Sequence, residues 1–283
     1  MISVIGLGGI GCKVADKFSE WKNYKLWKID SSELPKGIRN KVVNNCKDPE
    51  LFEANFPDLN SFFKGVNKEV VLVLSGASLI SGATLRVLEV LVAKRKCSVS
   101  IVYVKPDVDL LPARKKLQEN LVRNVLQQYA RSNLLSRVFL FENISIEKTL
   151  KDLTLTDYYD KINYTVAYYT HMVHVFENTD PVMTTMDEFP DVIKIFSIGT
   201  FDTERRQENM FFALKNVKEK RYYWNIPGKQ LNEDVGLIQN IRERITNRED
   251  DINKTFAVFE SSHDMPYGIC LEGTNITQDI EIK

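Results

Sequence analysis

The sequence predicts an α/β protein: a parallel sheet covered on both faces by helices, then a long central helix, then a smaller α+β part. Three observations predict it. The stretch "VIGLGGIGCKVADKF", residues 4–18, joins an apolar strand to an amphipathic segment through a glycine run. Strand-like and helix-like segments then alternate through residue 145, and the strands are near-continuous Val/Ile/Leu runs, as in strands buried on both faces. Finally, "DYYDKINYTVAYYTHMVHVFEN", residues 157–178, is apolar round much of a helical surface, which suits a helix held between two layers.

Taken in order, residues 2–5 read as a buried strand and residues 11–21 as the helix after the glycine turn. "KLWKID", residues 25–30, alternates as a second strand, and "DPELFEANF" suggests a helix within the mixed segment 31–68. "EVVLVLS", residues 69–75, is the clearest buried strand, with "SGATLRVLEVLVAKR" as its following helix. Residues 98–106 form another strand, stopped by Pro106, before a long helix over 113–132 and the strand "RVFLFEN". Beyond the central helix, "TFDTERRQENMFFALKNVKEK" and "NEDVGLIQNIRERI" read as surface helices, and "KTFAVFES" and "YGICLEG" as paired strands. The expected division is a first domain over 1–156, a connecting helix over 157–178 and a reduced C-terminal domain over 179–283.

Composition narrows the function classes. Lys plus Arg and Asp plus Glu both number 38, so the formal net charge is zero. That removes the electrostatic argument for a nucleic-acid or anionic-membrane partner and does little to oppose self-association. The start "MISVIG" lacks the basic and apolar regions of a signal peptide, and no run of about 18 apolar residues predicts a membrane span. Cys12, Cys46, Cys97 and Cys270 are scattered without a CxxC pair, which fits a reducing cytoplasm.

Chemistry concentrates in the first loop, which carries Gly6, Gly8, Gly9 and Gly11. Glycines there let backbone N–H groups approach a phosphate at a helix N-terminus. GxGGxG alone fits a dinucleotide-binding fold, a ThiF-type adenylyltransferase or a tubulin/FtsZ-type GTPase, and equally a turn that merely packs strand against helix. Other segments stand in a telling order: "KIDSS", "VLVLSGASLISGATLRVLEVL", "VYVKPDVDLLPARKKLQENL", "RVFLFEN", the helix 157–178, and "PVMTTMDEFPDV". Across residues 1–200 this order resembles the tubulin/FtsZ superfamily, FtsZ more than tubulin. A ThiF-type enzyme would want a catalytic Arg and Asp after the second strand, for which Asp30 and Arg39 stand, but its cysteine pair is absent.

The resemblance implies a Rossmann-like domain binding GTP or GDP with Mg2+, and head-to-tail self-assembly into cytoskeletal filaments. It assigns Gly8, Gly9, Gly11 and Cys12 to the first phosphate loop, Gly76, Ser78 and Gly82 to the signature loop, and Asn163 to the base. Asp187 and Asp191 match the acidic catalytic loop, which in that family completes the active site of the next subunit. The departures are specific. The family's GGGTGTG is here Ser75-Gly76-Ala77-Ser78-Leu79-Ile80-Ser81, and apolar Leu79 and Ile80 offer a dianion nothing. Thr185 replaces the family's Asn, and an extra residue separates the two acids. The family's ribose acid is missing in register, Asp107 or Asp109 replacing it loosely, while Arg114 matches a basic position. The alternative reading is a degenerate homologue kept as a structural or scaffolding piece with little or no nucleotide binding; hydrolysis requires both altered loops to function. His171 and His174 make an HxxH without a third ligand, so they read as core histidines and no metal site is predicted.

Overall fold

The computed structural model describes residues 1–150, 152–202, 207–245, 251–263 and 265–278. Strands β1 (Ile2–Leu7), β2 (Tyr24–Asp30), β3 (Asn40–Val42), β4 (Glu69–Leu74), β5 (Ser98–Lys105) and β6 (Arg137–Glu142) come from the first half of the chain. They lie in the order β3-β2-β1-β4-β5-β6, every neighbouring pair parallel. All six carboxyl ends therefore point one way, and the loops that leave them converge on one pole of the molecule.

Period two explains how β4 builds two cores at once. Val70, Leu72 and Leu74 face one layer with Trp27, Phe52 and Phe63. Val71 and Val73 face the other, with Val14 and Phe18 of the first helix. That helix, α1 (Gly8–Lys17), starts directly at the glycine turn and ends in a 3-10 turn over Phe18–Glu20. The expected helix after β4 is broken into a 3-10 turn (Leu79–Ala83), α3 (Thr84–Leu88) and a π turn (Glu89–Lys94), whereas α2 (Pro49–Ala54) and α4 (Ala113–Arg131) match the expectation. The short α5 (Asn143–Glu147) precedes the central helix, α6 (Tyr158–Glu177). Ile162, Val166, Val173 and Phe176 of α6 share a core with Val71 and Val73 on one side and Tyr223, Phe259 and Leu271 on the other.

The second half supplies β7 (Met183–Thr184), β8 (Ile195–Phe201), β9 (Glu208–Met210), β10 (Glu219–Pro227), β11 (Asn253–Ser261) and β12 (Tyr267–Thr274). Strand β8 pairs with β6 in parallel, so the same sheet continues as β8-β12-β10-β11-β7. β12 is antiparallel to β8 and β10, β11 is parallel to β10, and β7 closes the edge. The helices α7 (Gly228–Glu233) and α8 (Leu237–Ile245) cover an outer face around Trp224 and Ile241.

Two expectations are corrected here. The segment 200–220, expected as helix, contributes β9 and the start of β10, because the open edge of β8 pairs Glu208–Met210 and outweighs local propensity. "KTFAVFES" and "YGICLEG" do not pair with each other; each pairs with β10, which runs between them. β10 hides in the sequence because it opens on Glu219, Lys220 and Arg221. The fold neutralises that run, pairing Arg221 with Glu219 at 2.6 Å and Lys220 with Glu208 and Glu272 at 2.6 and 2.7 Å.

Candidate functional site

The glycine loop lies at the carboxyl pole. Gly8 follows β1 with φ +76°, a conformation that costs an L-residue about 1–2 kcal/mol. Neither α1 nor the 3-10 turn after β4 has a side-chain cap on its N-terminus, so first-turn N–H groups of both are left for a ligand or water. The two turns touch: a Cβ on Gly8 would lie 3.3 Å from Ser78 Oγ and 2.9 Å from Ile80 Cγ2. Gly9 opens outward, and the nearest atom to a Cβ there would be Asp30 Oδ2 at 3.8 Å. An anion held at this point would need a cation or water between itself and the Asp30 carboxylate.

The loop after β4 carries its apolar residues differently from what the sequence suggests. Ile80 is fully buried in the core beneath the sheet, and Leu79 packs against that core. Ile80 is thus shielded from solvent against Gly8, while Leu79 is only half-buried. Gln118 of α4 fixes the loop by donating to the Ser78 carbonyl and to Ser81 Oγ, both at 3.0 Å. Three of the glycines assigned to phosphate contact also have packing duties. A Cβ on Gly11 would strike the Val73 carbonyl, one on Gly76 the Tyr103 hydroxyl, and one on Gly82 the Pro49 carbonyl.

Cys12 faces inward, its thiol donating toward the carbonyls of Gly6 at 3.5 Å and Ile29 at 3.6 Å. Burial, reinforced by the charge of Asp30, pushes this thiol up to about 12. Asn163 is buried in the first half of α6. The sequence did not single out Ser75 or Asn143, the residues that follow β4 and β6. Each is buried, and Ser75 Oγ and Asn143 Oδ1 have no partner among the described residues. A polar residue directly after a buried parallel strand is the signal that would have found them. Arg114 is committed to Asp48, and Lys105 to Glu142, so neither is a spare cation.

The acidic loop occupies the opposite pole. Thr185 anchors it to β11, its N–H donating to the Phe256 carbonyl at 2.9 Å, and Ile193 closes a turn on the Pro190 carbonyl at 2.9 Å. Between these ties Asp187, Glu188 and Asp191 are all exposed. Glu188 and Asp191 line a cleft of about 730 Å3 together with Ser98, Arg137 and Lys194, which lie at the amino ends of β5, β6 and β8. A six-residue strand such as β1 spans roughly 20 Å, so no side chain of one molecule joins the two loops.

No protein-family model matches the chain, and no curated protein matches it by sequence. Solved structures do match. An empty FtsZ dimer from M. jannaschii superposes with TM-score 0.68 at 12% identity, covering 96% of this chain and 87% of that one. CetZ2 from Haloferax volcanii, a GTPγS-bound protofilament, gives TM-score 0.70 at 14% identity over 96% and 92%. TubZ from Bacillus thuringiensis serovar israelensis, a GTPγS-form protofilament, gives 0.67 at 16% over 98% and 87%. The fold is that of tubulin and FtsZ. Within this tubulin/FtsZ-like fold, the glycine loop, the central helix and the acidic loop occur in the expected order.

His171 and His174 lie near the amino pole, on the last turns of α6. The Tyr24 hydroxyl sits 2.9 Å from Nδ1 of His171 and 3.2 Å from Nδ1 of His174, and Trp21 stacks on His171. One hydroxyl donates only once, so at most one Nδ1 accepts from Tyr24 and at least one of the two imidazoles carries its proton on Nδ1. No group of three or more His, Cys, Asp or Glu among the described residues is placed to hold a metal, and no helix there is long and apolar enough to cross a membrane.

Proposed function

We propose that this chain binds a guanine nucleotide at the carboxyl pole and assembles head to tail, so that Asp187 and Asp191 of one subunit reach the nucleotide of the next. The observation that supports this reading is the opposition of the two loops across the length of the strands. Apart they have no shared chemistry within one molecule, and a stack with all strands pointing one way brings them together. In this reading Gly8, Gly9 and Ser78 offer N–H and hydroxyl groups to phosphate, and α1 adds its positive dipole end. Gly11, Gly76 and Gly82 keep the backbones of both loops close enough to do so. The amides of Asn163 and Asn143 have donor and acceptor capacity for a base edge. Mg2+, when bound, would neutralise phosphate charge beside Asp30. Asp187 and Asp191 would orient a water for attack on the terminal phosphate of the neighbouring subunit.

The scaffold reading draws on a separate observation. Gly11, Gly76 and Gly82 are required by packing whether or not phosphate is present. Calorimetric titration of GTP with Mg2+ into nucleotide-stripped protein, with ATP as control, separates the two. Micromolar GTP binding, about −8 kcal/mol, with polymer sedimenting only when GTP is present, supports the GTPase reading. No heat and no shift in melting temperature leaves a fold kept for its surfaces.

A further inference from the structure

The acidic loop has three exposed carboxylates, Asp187, Glu188 and Asp191, and little backbone pairing of its own between Met186 and Asp191, so its geometry must come from elsewhere. The side chain in its middle supplies an attachment. Phe189 packs edge-on to Phe196 of β8, ring centroids 4.8 Å apart, and the Arg221 guanidinium of β10 lies 3.2 Å from the centre of the Phe189 ring. Arg221 is buried and is itself fixed by Glu219, two residues earlier on the same face of the strand, through a 2.6 Å bond from Nε. Glu219 is buried as well. A planar guanidinium held by a buried carboxylate is a rigid platform, and an aromatic face above it is attracted electrostatically.

We infer that Arg221 is a positioning residue for the acidic loop: it clamps Phe189 and so sets where Asp187 and Asp191 stand relative to the amino pole. The inference rests on the head-to-tail reading for its consequence in hydrolysis, but the clamp itself exists in the single chain. Lysine is not a substitute at this position. Its compact ammonium has neither the planar stack on Phe189 nor the fixed fork toward Glu219. The clamp also accounts for the buried charges at the start of β10, which no packing requirement of a strand demands.

The test uses the full chain and three variants. Phe189→Leu keeps apolar contact with Phe196 and loses the aromatic face; Phe189→Tyr keeps the face. Because Arg221→Met alone strands a buried carboxylate, it is made together with Glu219→Gln. Amide hydrogen exchange is read first, without nucleotide. In Phe189→Leu and in the double variant the amides of 186–192 should exchange at least about tenfold faster, those of β10 and β12 unchanged, with Phe189→Tyr like the parent. GTP turnover per polymerised subunit should then fall at least about tenfold in the same two variants and recover in Phe189→Tyr, while GTP affinity stays unchanged. Unaltered exchange in Phe189→Leu overturns the clamp, whatever the nucleotide chemistry. Faster exchange in a protein that neither binds nor hydrolyses GTP in its parent form keeps the clamp and overturns the GTPase reading instead. Faster exchange with full turnover per polymerised subunit overturns the positioning role.

Discussion

Gly11 of α1 faces Val73 of β4 so closely that a Cβ on the glycine would strike the valine carbonyl oxygen. The contact sets how deeply α1 settles on the sheet, and it involves backbone on both sides. Gly9, two residues earlier, leaves room for a Cβ, whose nearest neighbour would be Asp30 Oδ2 at 3.8 Å.

The pair gives a direct separation of packing from binding. Gly11→Ala should destabilise the protein by about 1–3 kcal/mol, because the obstructing atom is backbone and α1 must lift from β4. Gly9→Ala should leave stability within about 0.5 kcal/mol of the parent, yet weaken GTP binding if Gly9 lies against phosphate. Urea midpoints and GTP titrations on the two variants check both halves.

His174 should make the protein acid-sensitive. Burial lowers its pKa to about 3, with the charges of Arg137 and His171 acting the same way. The unfolded chain therefore binds a proton near pH 6.5 that the folded chain refuses. Stability is unaffected above that pH and falls as pH drops from about 6.5 toward 3, by up to about 2 kcal/mol at pH 5. His174→Gln keeps an amide near Tyr24 and removes the titration. Its loss of stability between pH 7 and pH 5 should be smaller than the parent's, measured by urea unfolding at the two values.

Arg123 and Glu119 on α4 form a fully buried ion pair at 2.9 Å. Tyr103 also donates to Glu119, and Arg123 reaches on to the backbone carbonyl of Gln278, whose own N–H donates to Gln127 Oε1 at 2.7 Å. Arg123→Met leaves the Glu119 carboxylate unpaired and should cost about 3–5 kcal/mol. Adding Glu119→Gln should recover much of that loss, because no buried charge then remains. Thermal unfolding of the single and double variants tests the difference.

The cysteines should differ sharply in reactivity. Burial raises the thiol pKa of Cys12 to about 12 and pushes that of Cys270 well above its ordinary value, and Cys97 moves the same way. Cys46 is half-buried, in the loop before α2. Native alkylation at pH 8 followed by mass spectrometry should therefore label Cys46 first, with Cys12 and Cys270 labelled only on unfolding.

What the sequence determined by itself is local. The glycine turn after β1 and the unbroken apolar run of β4 each follow from residues close together, and so does the alternation that predicts a parallel sheet. α6 was legible within one residue at each end, because its apolar surface repeats with helical period. The candidate residues were legible only as a list; Gly8 and Gly9 stand in α1, Ser78 just before the 3-10 turn after β4, and Asn163 in the first half of α6. Tertiary structure decided the rest. β10 was hidden by Glu219, Lys220 and Arg221: Arg221 pairs with Glu219 only because an extended strand sets them on one face, and the partners of Lys220, Glu208 and Glu272, come from other strands. The burial of Ile80 depends on the core that Trp27, Phe52 and Leu72 build beneath it, and sequence alone assigned that side chain to the phosphate loop. Which pole each loop occupies is likewise a property of strand direction, fixed only when β1, β4, β6 and β8 pair in parallel. Propensity and period act over a few residues, whereas pairing partners and burial depend on segments far apart in the chain.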